Sequence, residues 1–453
     1  MEKKINNKQP VNKNDELIVD IIDYGTNGEG IAKINGYTIF VIGALKGEKC
    51  KIHILKVLKD YGFAKIIEII KESENRKTED CLTYSKCGGC VLRHIDYQET
   101  LNIKTEQVQN LVNKMLKNKI KVNKTIGMEK PYHYRNKAIY PISKENKIGL
   151  YAERSHNVIG INECKIQTIK SQNIAKFILD NWKDSIYDET TGKGLLRNIM
   201  IREGFSTGEI MVVLVQNGTK KYDPEKLLKK FPEITSIIIN VNSRNTNVVL
   251  GNENIVIYGK DNIKDYIDNF IFKISSNSFY QINPVQTRVL YNKAIELSDL
   301  HKSDILFDLY CGIGTIGIVA SEKVNKVYGI EIVPQAINNA IENAKLNNIE
   351  NIEFIVGDVE DAFDKLINEK KVLPTAIIVD PPRKGLDDKT ISNILKTKPK
   401  KLTYISCNPA TLVRDLSKME SSYKIKEIQP VDMFPFTKHV ECCSVLYLKD
   451  SIQ

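Results

Sequence analysis

The architecture of the C-terminal third follows from Phe307-Asp308-Leu309-Tyr310-Cys311-Gly312-Ile313-Gly314-Thr315-Ile316-Gly317, in which an apolar strand runs into a glycine loop. The loop has the G-x-G-x-x-G form that follows a strand in dinucleotide-binding folds. Glu331 ends the next predicted strand, where an acidic side chain can hydrogen-bond a ribose. The segment therefore predicts a nucleotide-type ligand, and a glycine turn that binds nothing is the alternative.

The strand before the loop narrows the choice of ligand. Asp308 carries a carboxylate, which repels a pyrophosphate and attracts a cationic ligand. S-adenosylmethionine has an ammonium, a sulfonium and a ribose that Glu331 can bind. We therefore expect S-adenosylmethionine at this loop, and NAD, the ligand of an oxidoreductase, is a distant alternative.

Strand and helix patterns alternate on both sides of the loop. The other strand candidates are Lys326-Val327-Tyr328-Gly329-Ile330, Ile352-Glu353-Phe354-Ile355 and Ala376-Ile377-Ile378-Val379. Helical patterns such as residues 334–347 separate them. This alternation is typical of a doubly wound, mostly parallel sheet. We therefore predict an α/β fold, with a Rossmann-like domain over residues 271–453.

The rest of the chain divides into three predicted parts. Residues 1–14 are polar and rich in Lys and Asn, which favours a disordered tail. Residues 15–72 read as short strands with glycine turns, which predicts a small β-barrel. Its lysines and its aromatic residues Tyr37, Tyr61 and Phe63, which follow an exposed pattern, suit RNA, although the rings suit a barrel core equally. Residues 73–270 form a central α+β domain in this prediction.

Composition limits the class of protein. The chain has 453 residues and a net charge of +10, which fits either a polyanionic partner or a solvated surface. It contains no apolar run near the roughly 18 to 20 residues of a membrane span. The N-terminus lacks the apolar stretch of a secretory signal, so we expect a cytoplasmic protein with reduced thiols. Its nine cysteines are then catalytic, metal-binding or core residues rather than disulfides.

Cys407 stands in the run Tyr404-Ile405-Ser406-Cys407-Asn408-Pro409, at the predicted carboxyl end of a buried strand. Open α/β sheets place their chemistry at that edge, so this thiol is a candidate nucleophile. The alternative is a small apolar residue, since free cysteine is often simply buried. Asp380-Pro381-Pro382 ends a neighbouring strand, and Arg383 follows where an aromatic residue would indicate methylation of an exocyclic amine.

A thiol and a carboxylate beside a nucleotide loop suggest covalent catalysis on a base. C5 of uracil is a poor nucleophile, but a thiolate that adds to C6 creates an enolate, and C5 can then attack a methyl sulfonium. The C5 proton must be removed before the thiol is eliminated, and Glu441 can act as that base. His439 lies two residues away and would share the face of Glu441 on a strand, so it is the alternative base.

A cysteine group in the central region is a candidate metal site. Cys81, Cys87 and Cys90 have the spacing Cys-x5-Cys-x2-Cys, and Cys164 is the candidate fourth ligand. Gly88-Gly89 allows the backbone to wrap around a metal. Four thiolates hold either zinc or an iron–sulfur cluster, and the spacing does not choose between them. Unligated cytosolic thiols are the remaining alternative.

Five motifs together resemble the RNA 5-methyluridine methyltransferases. They are Phe279-Tyr280-Gln281-Ile282-Asn283, the loop at Gly312, Asp380-Pro381-Pro382-Arg383, Ser406-Cys407-Asn408-Pro409 and Phe434-Pro435-Phe436-Thr437-Lys438-His439-Val440-Glu441. The cysteine group looks like the cluster-bearing 23S ribosomal RNA branch of that family. Residues 15–72 look like its TRAM barrel, so the resemblance covers nearly the whole chain.

The resemblance implies a role for each candidate residue. Contacts to S-adenosylmethionine are implied for Gln281, Tyr310, Glu331 and Asp380. Cys407 is implied as the nucleophile and Glu441 as the base that removes the C5 proton. A 4Fe-4S cluster, rather than zinc, is implied for Cys81, Cys87, Cys90 and Cys164. No role is implied for Cys50, Cys311, Cys442 and Cys443, which we expect to be structural. Phe436 replaces a residue that is polar in many relatives, with no expected consequence for the chemistry.

The expected reaction is methyl transfer to C5 of a uridine in 23S ribosomal RNA. The same reaction on a T-loop uridine of tRNA is the alternative, although that branch usually lacks both the barrel and the cluster. A non-catalytic RNA-binding assembly factor is a third hypothesis, against which the pair Cys407 and Glu441 argues. We expect no membrane association and no obligate protein partner.

Overall fold

The computed structural model describes residues 9–143, 145–153 and 155–449. They form an N-terminal barrel, a five-stranded mixed sheet and a seven-stranded sheet covered on both faces. Within those ranges, no helix has both the length and the apolar character that crossing a membrane requires.

The N-terminal barrel has six strands. They are β1 (Glu16–Asp20), β2 (Asp23–Tyr24), β3 (Gly30–Ile34), β4 (Tyr37–Ile42), β5 (Lys49–Val57) and β6 (Tyr61–Lys71), in the spatial order β1-β5-β6-β4-β3-β2. The Ile22 N–H donates to the Ile31 carbonyl at 2.8 Å and brings the chain after β1 against β3. Ile39, Ile52 and Ala64 point inward and are fully buried, as the period-two alternation predicts.

Two details of the N-terminal prediction differ from the structure. Residues 1–8 of the predicted disordered tail lie outside the described residues, but residues 9–14 lie on the barrel. Val11 is buried in the barrel core, and the Asn14 N–H donates to the Ile54 carbonyl at 2.9 Å. Tyr37 is a core residue rather than an exposed ring, because it alternates in phase with Ile39, and its hydroxyl donates to the Leu58 carbonyl at 2.7 Å.

In its described residues, the central region contains three helices and nine strands. They are α1 (Tyr97–Met115), β7 (Lys137–Pro141), β8 (Gly149–Tyr151), β9 (Val158–Gly160), α2 (Ile169–Asp180), β10 (Leu196–Glu203), β11 (Ile210–Gln216), α3 (Glu225–Lys230), β12 (Ile234–Val241), β13 (Glu253–Gly259), β14 (Asn262–Ile267) and β15 (Phe270–Ser275). Five of the strands form a sheet in the order β13-β12-β11-β10-β7, while β8 pairs with β9 and β14 with β15. Every residue of β11 is buried, because its apolar run covers both faces of the sheet.

The C-terminal region alternates helices and strands as predicted. They are α4 (Pro284–Ser298), β16 (Ile305–Leu309), α5 (Thr315–Ser321), β17 (Lys326–Glu331), α6 (Pro334–Leu346), β18 (Ile352–Val356), α7 (Val359–Asn368), β19 (Ala376–Val379), α8 (Asp388–Thr397), β20 (Lys401–Ser406), α9 (Pro409–Met419), β21 (Tyr423–Val431) and β22 (Glu441–Leu448). The sheet order is β18-β17-β16-β19-β20-β22-β21, parallel from β18 to β20 and antiparallel at β22. The strand order reverses between β16 and β19, where such sheets open a ligand crevice.

The hydrophobic core crosses the domain boundary that we predicted at residue 271. Val108 and Val112 of α1 pack with Leu412 and Leu416 of α9, on one face of the large sheet. On the other face, Phe272 of β15 belongs to the core that includes β16. Helix α1 is therefore part of the C-terminal unit, because its apolar stripe finds its partner there.

Candidate active site

A cavity of about 630 Å³ opens at the carboxyl ends of the central parallel strands. All six residues predicted for cofactor binding and catalysis line it: Gln281, Tyr310, Glu331, Asp380, Cys407 and Glu441. They come from the segment before α4, from the ends of β16, β17, β19 and β20, and from the start of β22. Strand direction explains the convergence, since the carboxyl ends of parallel strands meet at one edge.

The backbone of the glycine loop adopts a left-handed conformation at two of its glycines. Gly312 has φ 56° and Gly314 has φ 81°, a conformation that favours glycine. A Cβ on Gly314 would also approach the ring of Phe354 to 2.7 Å. Glu331 holds the loop, because its two carboxylate oxygens accept hydrogen bonds from the N–H groups of Gly312 at 3.2 Å and Val333 at 3.0 Å. Glu331 thus braces the loop while it lines the cavity.

Asp308, which we expected to attract the ligand, lies behind the loop instead of lining the cavity. Its Oδ2 accepts a hydrogen bond from the Gly317 N–H at 2.8 Å, while Oδ1 is buried without a partner. Burial, followed by the charges of Asp380 and Glu331, raises the pKa of Asp308 to about 7. The strand places this side chain beneath α5, where it fixes the loop rather than touching a ligand.

Cys407 and Glu441 come from neighbouring antiparallel strands and line the same cavity. Ser406, the last residue of β20, pairs with Cys442 of β22; Cys407 directly follows Ser406, and Glu441 directly precedes Cys442. Glu441 is buried, and burial followed by the charge of Asp380 raises its pKa to about 8. Burial and then the Glu441 charge raise the pKa of the Cys407 thiol to about 11.

The cavity holds acidic groups that favour a positive ligand. Burial raises the pKa of Asp380 to about 7, and Glu441 is shifted in the same direction. A cation bound between these groups would lower their pKa values and that of Cys407, because it stabilises each anionic form. The sulfonium and ammonium of S-adenosylmethionine match this requirement.

His439 lies in the loop before β22, not on the strand as we assumed, but it still lines the cavity. Its ring packs edge-on against Phe434, with centroids 6.1 Å apart. Burial, followed by the charge of Arg383, lowers the pKa of His439 to about 4. The imidazole is therefore neutral at physiological pH, and at this pKa it is a weak proton acceptor.

Sequence reasoning missed several residues of the cavity. Asp358 lines it just after β18, and Arg383, Lys384 and Phe434 line it together with Cys407 and Glu441. Asp358 had a weaker form of the signal at Glu331 and Asp380, an acid shortly after a predicted strand, with Val356 and Gly357 between. Arg383 and Lys384 follow Asp380-Pro381-Pro382 in sequence, where Arg383 was considered only for its bearing on the methyl acceptor and Lys384 was not considered.

The four predicted ligand cysteines come together in the fold. Cys81, Cys87, Cys90 and Cys164 line one small cavity of about 20 Å³. Burial is the first cause that raises the pKa of the Cys87, Cys90 and Cys164 thiols. Four soft donors around one cavity suit a four-thiolate site. In the described part of the chain, however, no three Cys, His, Asp or Glu residues stand in an arrangement that could hold a metal ion.

The other cysteines are core residues or lie near the glycine loop. Cys50, Cys311, Cys442 and Cys443 are free and buried. Cys311 also lines the large cavity through the glycine loop. Burial raises the pKa of each of these thiols, which makes them poor nucleophiles.

Comparisons with known proteins agree with this geometry. The tRNA (uracil-5-)-methyltransferase family model matches residues 96–449, and the TRAM domain model matches residues 10–67. An uncharacterized RNA methyltransferase of Clostridium tetani is 48% identical over 444 residues, which cover 95% of this chain and 96% of the relative. A second, from Halalkalibacterium halodurans, is 42% identical and covers 97% of this chain and 99% of its own.

A solved structure gives the same result for the fold and the ligand class. The chain is similar to the tRNA (uracil-54, C5)-methyltransferase of Pyrococcus abyssi, solved in complex with S-adenosyl-L-homocysteine. The TM-score is 0.77 and the identity 28%, with 95% of this chain and 99% of that chain covered. From the family match over residues 96–449, the chain belongs to the tRNA (uracil-5-)-methyltransferase family, and it is an S-adenosylmethionine-dependent RNA methyltransferase.

Proposed function

We propose that the protein methylates C5 of a uridine in 23S ribosomal RNA through a covalent bond between Cys407 and C6 of the base. One observation carries the proposal: Cys407 and Glu441 lie at the ends of neighbouring strands, in the cavity that the predicted cofactor residues line. A thiol that adds to C6 and a carboxylate that removes the C5 proton are the two groups that this chemistry needs.

The Cys407 thiol loses its proton to solvent, and the thiolate bonds to C6, which places negative charge on C5 and the adjacent carbonyl. C5 takes the methyl group from the sulfonium, and S-adenosylhomocysteine leaves as a neutral thioether. The Glu441 carboxylate removes the C5 proton, the C5=C6 double bond re-forms, and the sulfur–C6 bond breaks. The proton affinity of Glu441 suits this role, because its pKa of about 8 lies near the operating pH.

The barrel supplies a surface that suits unpaired RNA. Phe40, Tyr61 and Phe63 form a triad on its outer face, with each pair of ring centroids 5.6 Å apart. Lys56 pairs with Phe63 across the adjacent strands and adds positive charge. Stacking platforms flanked by cations bind single-stranded nucleotides. We therefore assign this face to nucleotides that flank the target uridine.

The same surface lies near the large cavity. A Cβ on Gly25 would approach the ring of Phe40 to 3.1 Å, so the β2–β3 turn lies against the triad. Asn27 of that turn accepts a hydrogen bond from Lys438 at 3.0 Å. Lys438 directly precedes His439, which lines the cavity. A strand whose target base enters the cavity therefore has a short path to the triad.

We further propose that Cys81, Cys87, Cys90 and Cys164 hold a 4Fe-4S cluster. Their shared cavity and their purely thiol character support this assignment. The bound cluster would supply a rigid cross-link between residues 81–90 and residue 164. In this proposal it shapes the RNA-binding surface and transfers no electrons.

The tRNA alternative has a specific observation in its favour. The Pyrococcus abyssi tRNA enzyme covers 95% of this chain, which includes most of the barrel. A barrel therefore does not by itself separate ribosomal RNA from tRNA as the substrate. The deciding experiment is to incubate the protein with 23S ribosomal RNA and with tRNA and to map 5-methyluridine in both. Product in tRNA alone would replace the ribosomal RNA proposal by its alternative.

A further inference from the structure

The loop that leads into β22 is held in place by hydrogen bonds from several other segments of the chain. We define the catalytic loop as residues 432–440, which contain His439 and end just before Glu441. Five consecutive carbonyl oxygens of this loop, from Asp432 to Phe436, accept hydrogen bonds from outside it. The donors, in that order, are Gln286 Nε2 at 3.1 Å, Asn283 Nδ2 at 2.9 Å, Lys104 Nζ at 3.2 Å, the Tyr134 hydroxyl at 3.1 Å, and the N–H groups of Val91 and Leu92, both at 3.0 Å.

The last of these contacts joins the catalytic loop to the cysteine site. Val91 and Leu92 directly follow Cys90, one of the four clustered cysteines. Both of their N–H groups point at the carbonyl of Phe436, which has φ 63°. A residue with a Cβ in this left-handed conformation persists only where its surroundings hold it. Here the Phe436 backbone is held by hydrogen bonds from residues just after Cys90.

Arg93 forms a second contact between the segment after Cys90 and the catalytic loop, through the aromatic ring of Phe436. Its guanidinium lies 4.3 Å from the centroid of the Phe436 ring and 5.4 Å from that of Tyr132. Its Nη1 donates to Asp80 at 2.8 Å, and the Arg93 side chain is only 2% exposed. A cation enclosed against an aromatic face contributes more than an exposed one, because water no longer competes for it.

We propose that Arg93 and Phe436 are positioning residues, which couple the segment after Cys90 to the placement of His439 and Glu441 in the cavity. The inference rests on the proposed role of Glu441, and it gives Phe436 a function where the sequence suggested none. Glu441 is the first residue of β22, so the path of the catalytic loop sets where its carboxyl meets Cys407. A displacement near 1 Å can cost about 10²-fold in rate.

The first test measures, in the absence of RNA, how strongly Glu441 influences the reactivity of the Cys407 thiol. Iodoacetamide labels Cys407, and mass spectrometry of its peptide gives the labelling rate as a function of pH. Because the Glu441 charge helps to raise the pKa of Cys407, a displaced Glu441 should move the labelling profile to lower pH. We expect this shift in Arg93→Gln and in Phe436→Leu, which removes the ring but keeps an apolar side chain. Arg93→Lys, which keeps a cation over the ring, should restore much of the original profile.

The matched control is Arg76→Gln. Arg76 also forms a largely buried ion pair, with Glu48 at 2.6 Å, but it does not contact the catalytic loop. Its variant should label like the parent protein. An unchanged profile in both Arg93→Gln and Phe436→Leu would overturn the coupling, and so would an equal shift in Arg76→Gln.

The second test uses the reaction. Arg93→Gln and Phe436→Leu should lower kcat by about 10- to 100-fold, leave the KM for S-adenosylmethionine unchanged, and accumulate the covalent protein–RNA adduct. A loss confined to KM would contradict the positioning role. If the labelling profile shifts but no variant, Glu441→Gln included, forms an adduct, the coupling stands and the proposed covalent mechanism fails.

Discussion

Glu441 and Cys407 line one cavity from neighbouring strands, since Cys407 follows Ser406 at the end of β20 and Glu441 precedes Cys442, the partner of Ser406 in β22. The thiol is partly exposed, whereas the carboxyl is buried. A base that enters the cavity therefore meets the sulfur first, with the carboxyl already enclosed beside it. In the proposed reaction the thiol and the carboxyl act in different steps, so substituting one residue blocks its step and leaves the other group in place.

We expect Glu441→Gln to remain attached to methylated RNA. The variant keeps the nucleophile, so addition and methyl transfer proceed, but the C5 proton has no base and elimination stalls. Losing a general base costs about 10²- to 10⁴-fold in rate, enough for the adduct to accumulate. A slow-migrating protein–RNA band on a denaturing gel, dependent on S-adenosylmethionine, is the readout.

The band should disappear when Cys407→Ala is added to Glu441→Gln. Cys50→Ala and Glu203→Gln are the matched controls, since they alter a thiol and a carboxyl that lie outside the cavity. A band that forms without Cys407 would mean that another nucleophile acts. Normal turnover by Glu441→Gln would favour His439 as the base.

Binding of S-adenosylmethionine should release protons near neutral pH. Asp380 and Glu441 have pKa values of about 7 and about 8 in the free protein, so both carry a substantial fraction of bound proton at pH 7. A sulfonium in the cavity lowers both pKa values, and the affinity should therefore rise with pH and level off above about 8. Calorimetry in buffers of different ionisation enthalpy counts the protons, and we expect about one per ligand.

S-adenosylhomocysteine is the matched ligand for this measurement, because it lacks the sulfonium but keeps the rest of the molecule. It should release fewer protons and bind with a flatter pH dependence. Glu441→Gln should reduce the release by S-adenosylmethionine. Equal proton release by the two ligands would show that the acidic groups do not respond to the methyl donor.

If the four cysteines hold a 4Fe-4S cluster, protein purified without oxygen should be brown and contain about four irons per chain, because four thiolates hold a cluster of that size. Cys87→Ser should lose iron, because it removes one ligand, whereas Cys50→Ser should keep it, since Cys50 lies in the barrel core. Metal analysis and the visible absorption spectrum are the measurements. Stoichiometric zinc without iron would contradict the cluster.

Tyr61→Ala should weaken RNA binding and leave binding of S-adenosylmethionine unchanged. The ring is 39% exposed on the outer face of the barrel, and a stacked base contributes about 1 to 3 kcal/mol. Tyr258→Ala is the matched control, because that ring is 41% exposed on the central sheet, away from the triad. Equal affinities of the two variants, measured at one salt concentration, would remove the triad from RNA binding.

Lys56→Gln tests the electrostatic part of the same surface. If Lys56 contacts a phosphate, the slope of log affinity against log salt should fall by about 1, with a similar loss for all RNA sequences. Point substitution is preferable to deletion of residues 1–72, because Leu45 of the barrel packs with Leu92 and Ile103 of the next region. An unchanged slope would exclude Lys56 from the contact.

Local patterns in the sequence were enough to predict the elements that carry the site. The alternation of strand and helix predicted the parallel sheet, and residues at strand ends were predicted to meet, because parallel strands expose their carboxyl ends at one edge. Tyr310, Glu331, Asp380 and Cys407 lie in one cavity for this reason. Gln281 and Glu441 reach the same cavity from the segment before α4 and from the start of the antiparallel β22. The period-two alternation predicted the barrel, although the phase at Tyr37 was assigned to the wrong face.

Relations between distant segments required the tertiary structure. Three examples are the packing of α1 on α9, the position of Asp308 behind the glycine loop, and the contact of Phe436 with Arg93. The first and third join residues that are far apart in sequence, and the second depends on the direction of a side chain. The sequence by itself determined which residues bring reactive groups to the sheet edge, because strand periodicity is local. Only the folded chain decided the pKa values, the proximity of Cys407 to Glu441 and the support of the catalytic loop, because these depend on burial and on groups that other segments bring near.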